Sequence, residues 1–250
     1  PVDDGGNAWL DRAAFLIRQC REHEALSFAV VARHAFIAES LLRTARRRGV
    51  LTEGRVAELR RSIRTVTGEM VTAYAQACRS EVSRADFLRE YGHLRPGTYE
   101  ITSLRYDERD DLFDTEQDLL FPARAIDFVL TDIERDGLDA LLAEAGLDVL
   151  GAESLLDYVR KAIAGREHMK FLFTRMLSDA LCALGRWGEL HGLSRDDLSH
   201  LPWPRLADCL VEPSMDYVDR HFLVLADEGR RTLAAAHAFE TFGGLEPCAL

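Results

Sequence analysis

Residues 91–108, YGHLRPGTYEITSLRYDE, place an unusual density of polar side chains between two helical patterns. The charged or titratable side chains that could act together are His93, Arg95, Arg105, Glu100 and Asp107. Arginine offers a planar fork that binds a phosphate or a carboxylate through two hydrogen bonds. The same set can instead form ion pairs that lock the segment inside the protein. The residue types alone leave both interpretations open.

Eight residues are candidates for substrate binding. Six lie in this segment: His93, Arg95, Tyr99, Glu100, Arg105 and Tyr106. His93 either caps a helix end or contacts an acceptor or a neighbouring domain, and the tyrosines offer stacking and hydroxyl contacts.

The other two candidates, Lys170 and Arg175, lie in a long helical pattern. Lys170 is one of only two lysines in a chain rich in arginine. Arg175 is either a ligand contact or a helix-surface partner of Asp179, one turn later. We predict neither a catalytic residue nor a metal site.

Composition narrows the class of protein. The formal charge of −11 argues against a nucleic-acid-binding surface. No apolar run approaches the roughly 18 residues of a membrane span. The five cysteines form no CxxC pair, which argues against a disulfide framework and a structural zinc site. We therefore expect a cytoplasmic protein that binds neither nucleic acid nor membrane.

Hydrophobic spacing and capping residues predict the helices that precede the polar segment. Apolar residues recur at helical spacing and predict helices over 8–21, 24–48, 52–80 and 84–91. Gly49 follows a run of arginines, as expected at a helix end, and Ser83 is a suitable cap for the helix over 84–91.

The second half of the chain also reads as helical. We predict short helices over 123–134 and 136–145, a long helix over 151–191, a helix after Ser194 and a last helix over 213–240. Three glycines in the long helix predict a bend or a break, and two prolines predict a turn around Trp203. The fold class is all-α: a multi-helix bundle with an irregular polar loop near 91–113. We expect one helical domain over 1–250, with linker-like ends at 1–7 and 243–250.

Motifs of several enzyme classes are missing. A di-iron bundle needs two Glu-x-x-His pairs, and the one match, Glu90 to His93, contains Gly92. The sequence has no GxxxxGK[ST] loop, no GxGxxG turn and no GxSxG elbow.

An arginine cluster is the other charged feature. It is either a solvated helix end or a docking surface for an acidic partner or an anion. Its members are Arg43, Arg46, Arg47, Arg48, Arg55, Arg60, Arg61 and Arg64.

Three stretches resemble one enzyme family. FLREYGHLRPGTYEITSLRYDE, over 87–108, is similar to the segment FLxxYGHR…E…PRxxE in the central helical part of phosphoenolpyruvate synthase-like phosphotransferases. These include pyruvate, phosphate dikinase relatives and rifampin phosphotransferase. ARHAFIAESLLRTARRRG and REHMKFLFTRMLSDALCALGRWG also resemble this region, so the resemblance spans about residues 30–200.

The resemblance implies a place in a three-part enzyme. An ATP-grasp domain uses ATP and Mg²⁺, a swivelling domain carries a phosphorylated histidine, and the helical region between them holds the acceptor or relays the swivelling domain. This sequence lacks the Gly-rich Ser-His signature of the swivelling domain and any ATP-grasp segment, and Leu94 replaces the Arg of GHR. We therefore expect a helical part excised from a larger enzyme, inactive alone and without a cofactor of its own. Its partners would be those two domains and a small-molecule acceptor. The alternative is a free-standing helical ligand-binding or scaffold protein without catalysis.

Overall fold

The computed structural model describes residues 5–114, 127–210 and 218–242. These residues form helices, turns and loops without a strand, which confirms the all-α prediction. The helices are α1 Gly5–Gln19, α2 Ala25–Arg47, α3 Glu53–Ser62, α4 Val66–Cys78, α5 Arg84–Tyr91, α6 Asp132–Glu144, α7 Ala152–Leu190, α8 Arg195–Ser199, α9 Trp203–Asp208 and α10 Val218–Phe242. A π-helical turn, Cys20–Glu24, joins α1 to α2, and a 3₁₀ turn covers Tyr106–Glu108.

Capping side chains set several helix starts, and Ser83 is the predicted cap among them. The hydroxyls of Thr52, Ser83 and Ser194 each accept a hydrogen bond from a backbone N–H in the first turn of α3, α5 and α8. Gly49 has a φ of 76°, which is strained for other residues and ends α2 where the sequence predicted.

Two predicted helices have different bounds in the structure. The helix predicted over 52–80 is divided into α3 and α4, because Ile63 is extended and Thr65 caps a new helix by accepting from the N–H of Gly68. The helix predicted over 123–134 is wrong for residues 127–131, which are not helical. Thr131 there forms a capping box with Glu134 and starts α6. Residues 123–126 lie outside the described part of the chain.

Of the bend or break predicted in the long helix, the break is wrong and the bend stays a prediction. Residues Ala152–Leu190 form one α-helix of 39 residues that includes Gly165, Gly185 and Gly188. The predicted turn around Trp203 is also wrong, because Trp203 begins α9 after Pro202 and a proline is tolerated in a first helical turn.

The ends of the chain are described only in part. Gly5 already belongs to α1, so the linker-like start does not extend through residue 7. Residues 1–4 and the predicted linker over 243–250 lie outside the described residues, as does the start of the predicted last helix.

The chain divides into two compact units, each built from separate stretches of sequence. Unit 1 takes the described residues of 1–19, 94–105 and 176–250, and unit 2 those of 20–93 and 106–175. Unit 1 has a core around Trp187, Phe222 and Leu206, and unit 2 has a core around Leu59, Phe128 and Val159. The polar loop thus contributes residues 94–105 to unit 1, while its two ends belong to unit 2.

Candidate functional site

The eight candidate residues fall into two groups. Arg95, Tyr99, Glu100 and Arg105 belong to unit 1, and His93, Tyr106, Lys170 and Arg175 belong to unit 2.

Arg95 is buried and organises the part of the loop that belongs to unit 1. Its Nε donates to Oγ of Ser178 at 3.2 Å, and its Nη2 donates to the Ser178 carbonyl at 3.4 Å. Its Nη1 donates to the carbonyls of Glu100 at 3.2 Å and Ser103 at 2.8 Å. One guanidinium thus connects α7 to two backbone carbonyls of the loop.

The loop backbone folds around this arginine. The N–H of Gly97 donates to Oγ of Ser103 at 3.0 Å, and the N–H of Glu100 donates to the carbonyl of Gly97 at 3.0 Å. A Cβ on Gly97 would lie 2.5 Å from Oε2 of Glu100, so the Pro-Gly turn leaves no room for a larger residue without movement of that side chain. Ile101 is buried in the core of unit 1. The loop therefore has a packed and hydrogen-bonded shape.

The remaining candidates of unit 1 differ in exposure. Nη1 of Arg105 donates to Oδ1 of Asp179 at 2.7 Å in a pair that is mostly buried on the arginine side. Tyr99 is 62% exposed, and Glu100 is also exposed. The side chains at the loop tip are thus the accessible ones.

In unit 2, His93 lies against an aromatic cluster at the end of α5. His93 is buried, and its ring meets the ring of Phe171 edge-on at 4.7 Å between centroids. Tyr91 contacts the same phenylalanine at 5.8 Å. The Gly92 carbonyl accepts from the N–H of Asp107 at 3.1 Å, which joins the two ends of the loop.

Arg175 covers this cluster from α7. Its guanidinium carbon lies 5.2 Å from the centroid of Phe171, and Nη2 donates to the carbonyl of Glu90 at 2.7 Å. This bond satisfies a carbonyl at the end of α5, where helical partners are missing. Arg175 therefore pairs with Glu90 and not with Asp179, which binds Arg105. Tyr106 is half-buried and Lys170 is exposed.

This geometry assigns most of the cationic candidates to internal contacts. Arg95, Arg105 and Arg175 each bond to protein groups, so their first role is to hold the loop and the helix ends. The exposed candidates are Tyr99, Glu100 and Lys170. Within the described residues no group of three or more metal-ligating side chains occurs.

Two cavities of about 230 Å³ each lie in unit 2, and none of these candidates lines them. They share Leu41, Leu142, Leu147 and Leu155, and their lining is largely apolar.

Half of the arginine cluster is neutralised by acids of unit 2. Arg48 pairs with Glu144 at 2.7 Å and Arg60 with Glu39 at 2.5 Å, while Arg46 pairs with Glu53. Arg55 binds Glu134 at 2.7 Å. The exposed members without an ion pair to any described residue are Arg43, Arg47, Arg61 and Arg64. Half of the cluster is thus part of an ion-pair network within unit 2, and half is exposed.

The hydrogen-bond partners of the candidate arginines were harder to predict from the sequence than the arginines themselves. The sequence marks neither Ser178 nor Glu90 as a hydrogen-bond partner, although each receives a hydrogen bond from a candidate arginine. A usable signal exists for Ser178: it lies four residues after Thr174, and both are buried polar residues in the apolar pattern of α7. No comparable signal marks the Glu90 carbonyl, because every residue has a backbone carbonyl.

The chain matches no family model, and neither a curated protein nor a solved structure is detectably similar to it.

Proposed function

We propose that this chain is the central helical domain of an ATP-dependent phosphotransferase that relays phosphate through a histidine. In the complete enzyme an ATP-grasp domain, with ATP and Mg²⁺, would phosphorylate a histidine on a swivelling domain. That histidine would then deliver the phosphate to a small acceptor held partly against this chain. The chain itself would bind no cofactor.

The organised loop is the observation that supports this proposal. The residues that carry the resemblance, GHLRPGTYEITS, are the ones held by a buried arginine and by backbone hydrogen bonds. Phosphoryl transfer depends on positioning and on charge stabilisation more than on covalent chemistry by the protein. A loop of fixed shape suits that requirement.

Within the loop we assign different roles to buried and exposed residues. Arg95 and Arg105 give the loop its shape, because their donors are directed at protein acceptors. Tyr99 and Glu100 lie at the accessible tip and are the candidates for contact with an acceptor or with the swivelling domain.

The test begins with the purified chain and Mg-ATP. We expect no AMP formation, no phosphate release and no phosphorylation of the chain. The reading frame that contains this sequence should also encode an ATP-grasp segment and a Gly-rich segment with a histidine. Its full product should form AMP and an acid-labile phosphohistidine.

Two results would contradict the proposal. Sustained AMP formation by this chain alone would place catalysis among residues that we assign to packing. A reading frame without the other two domains, and no activity with them in trans, would favour the free-standing scaffold protein.

In the active enzyme, Tyr99→Ala should raise the KM for the acceptor, while Thr102→Ala, an exposed neighbour, should not.

A further inference from the structure

Helix α2 carries an exposed apolar stripe, interrupted by Arg33, that no described residue covers. The stripe residues and their exposed fractions are Leu26 65%, Val30 52%, Phe36 67% and Ile37 44%. The opposite side of the helix packs Ala35, Ala38 and Leu42 inside the protein. The stripe covers three helical turns and exposes roughly a few hundred Å² of apolar surface, an extent that often marks an interaction site.

The same helix is long and apolar enough to cross a membrane. The helical run Ala8–Arg47 includes an 18-residue window of mean hydropathy 1.4 that is only 22% buried. A lipid environment fits α2 poorly, because Ala38 and Leu42 belong to a protein core and Glu39 forms an ion pair with Arg60 at 2.5 Å. Arg33 also lies among the stripe residues and is exposed. A protein surface is the better occupant.

Charges at the two ends of the stripe select the orientation of that partner. Glu22 lies one turn before Leu26, and Arg43 and Arg47 lie at the other end. All three are exposed, and none has an ion pair with a residue that the structure describes. A second copy of the stripe running antiparallel would place acid against base at both ends. A parallel copy would place Arg33, Arg43 and Arg47 against themselves, which is unfavourable.

We propose that the α2 stripe is the interface of a two-fold symmetric homodimer in which the two α2 helices pack antiparallel. An axis near residues 34 and 35 aligns Glu22 with Arg47 of the second copy. The same alignment brings Arg33 to Phe36 of the second copy, where a guanidinium can stack on the ring. Ile37 lies nearest the axis and loses contact with water, and the alkyl stem of Arg43 of the second copy covers Leu26.

Sedimentation velocity of the full chain over a range of concentrations gives the first measurement. We expect a reversible dimer. Ile37→Glu should weaken the dimer by roughly 100-fold in Kd, since it places a charge in the apolar centre. Ile133→Glu is the matched control, because Ile133 is 85% exposed and lies on α6, outside the stripe. It should leave the Kd unchanged, and circular dichroism should show equal helix content in both variants.

Charge reversal tests the antiparallel register. Glu22→Arg and Arg47→Glu should each weaken the homodimer by about tenfold, as expected for a few exposed ion pairs. The double variant should restore it. A mixture of the two single variants should form a heterodimer that is tighter than either homodimer, because both end contacts then join opposite charges.

Several results would overturn the proposal. They are a monomer at every concentration, a dimer that Ile37→Glu does not affect, and a mixture that shows no preference for the heterodimer. Binding of the wild-type monomer to anionic phospholipid vesicles that is lost in Ile37→Glu would assign the stripe to a membrane surface instead.

Discussion

At the scale of single residues, a largely buried ion pair joins Arg55 and Glu134 in unit 2. Nε and Nη2 of Arg55 donate to the two carboxylate oxygens at 2.7 and 2.8 Å, and Nη1 binds Glu58 at 2.6 Å. Glu134 also accepts from the N–H of Thr131 at 2.9 Å. The hydrogen bonds from Arg55 lower the pKa of Glu134 to about 2, although burial opposes this shift. The carboxylate thus holds α6 to α3.

Glu134→Gln should lower the free energy of unfolding by about 2–3 kcal/mol at pH 6, since it removes a buried charge-assisted contact. The pKa in the folded state is below that of the unfolded chain. The stabilisation is therefore complete above an unfolded pKa near 4.5 and is lost as the pH falls towards about 2. In urea titrations, the difference in the free energy of unfolding between wild type and variant should be smaller at pH 3 than at pH 6.

The control for Glu134 is Glu153→Gln. Glu153 also binds an arginine, at 3.0 Å, but its side chain is 60% exposed. We expect an effect below about 0.5 kcal/mol at both pH values. Equal effects of the two substitutions would contradict the role given to burial.

Arg95→Lys tests whether the loop is held by the planar fork and not merely by a positive charge. We expect a loss of about 3 kcal/mol in the free energy of unfolding, because lysine cannot reach the serine and both carbonyls together. Hydrogen exchange should accelerate at the amides of 97–103. Arg109→Lys is the matched control, since Arg109 forms an exposed pair with Asp111 at 2.9 Å. Unchanged stability and exchange would mean that Arg95 serves a ligand instead.

At the scale of elements, α7 shows how glycine is used inside a long helix. A Cβ on Gly188 would lie 2.7 Å from Cδ1 of Leu198 and 3.0 Å from the carbonyl oxygen of Leu193. A Cβ on Gly185 would meet its nearest atom, Nε of Arg195, at 3.4 Å. Gly188 therefore permits a close approach of the following segment, and Gly185 does not need to be glycine.

Gly188→Ala should destabilise the protein by about 1–3 kcal/mol through overpacking. Gly185→Ala, one turn away in the same helix, should be neutral or stabilise by up to about 1 kcal/mol, because alanine has the higher helix propensity. Thermal unfolding of the two variants and of the wild type measures both changes in stability. A destabilising Gly185→Ala with a neutral Gly188→Ala would contradict the packing described here.

Some helix boundaries could be predicted from the sequence, and others depend on contacts that the sequence does not show. Ser83 and Ser194 are local signals, since a cap bonds within its own first turn. α7 continues through Gly188, which permits a close approach of Leu193 and Leu198 that a helical pattern does not reveal. The division between α3 and α4 has a local signal, because Thr65 caps the N–H of Gly68, but continuous apolar spacing concealed it.

The candidate site was predictable to a smaller degree. The density of polar residues marked the loop, and the structure gives that loop a specific hydrogen-bonded form. The roles of its arginines depended on acceptors far away in sequence, such as Ser178 for Arg95 and Asp179 for Arg105. Residue type predicts what a side chain can bind but not which group it meets.

At the scale of the whole molecule, neither unit is a continuous stretch of sequence. Unit 1 needs a loop from the middle of the chain, and α7 contributes residues to both units. A fragment that ends before residue 176 therefore lacks most of unit 1. Variants are better suited than truncations for assigning roles to the two units.

The separation of Arg95 from Ser178 also bears on synthesis by the ribosome. The two residues are 83 positions apart, which corresponds to about 4–17 s at typical rates of 5–20 residues per second. The described segments of unit 2 are complete once residue 175 has emerged, whereas the loop still lacks the serine that its arginine binds. During that interval the guanidinium has to remain in water, so the loop acquires its final shape only after the second half of α7 has been made.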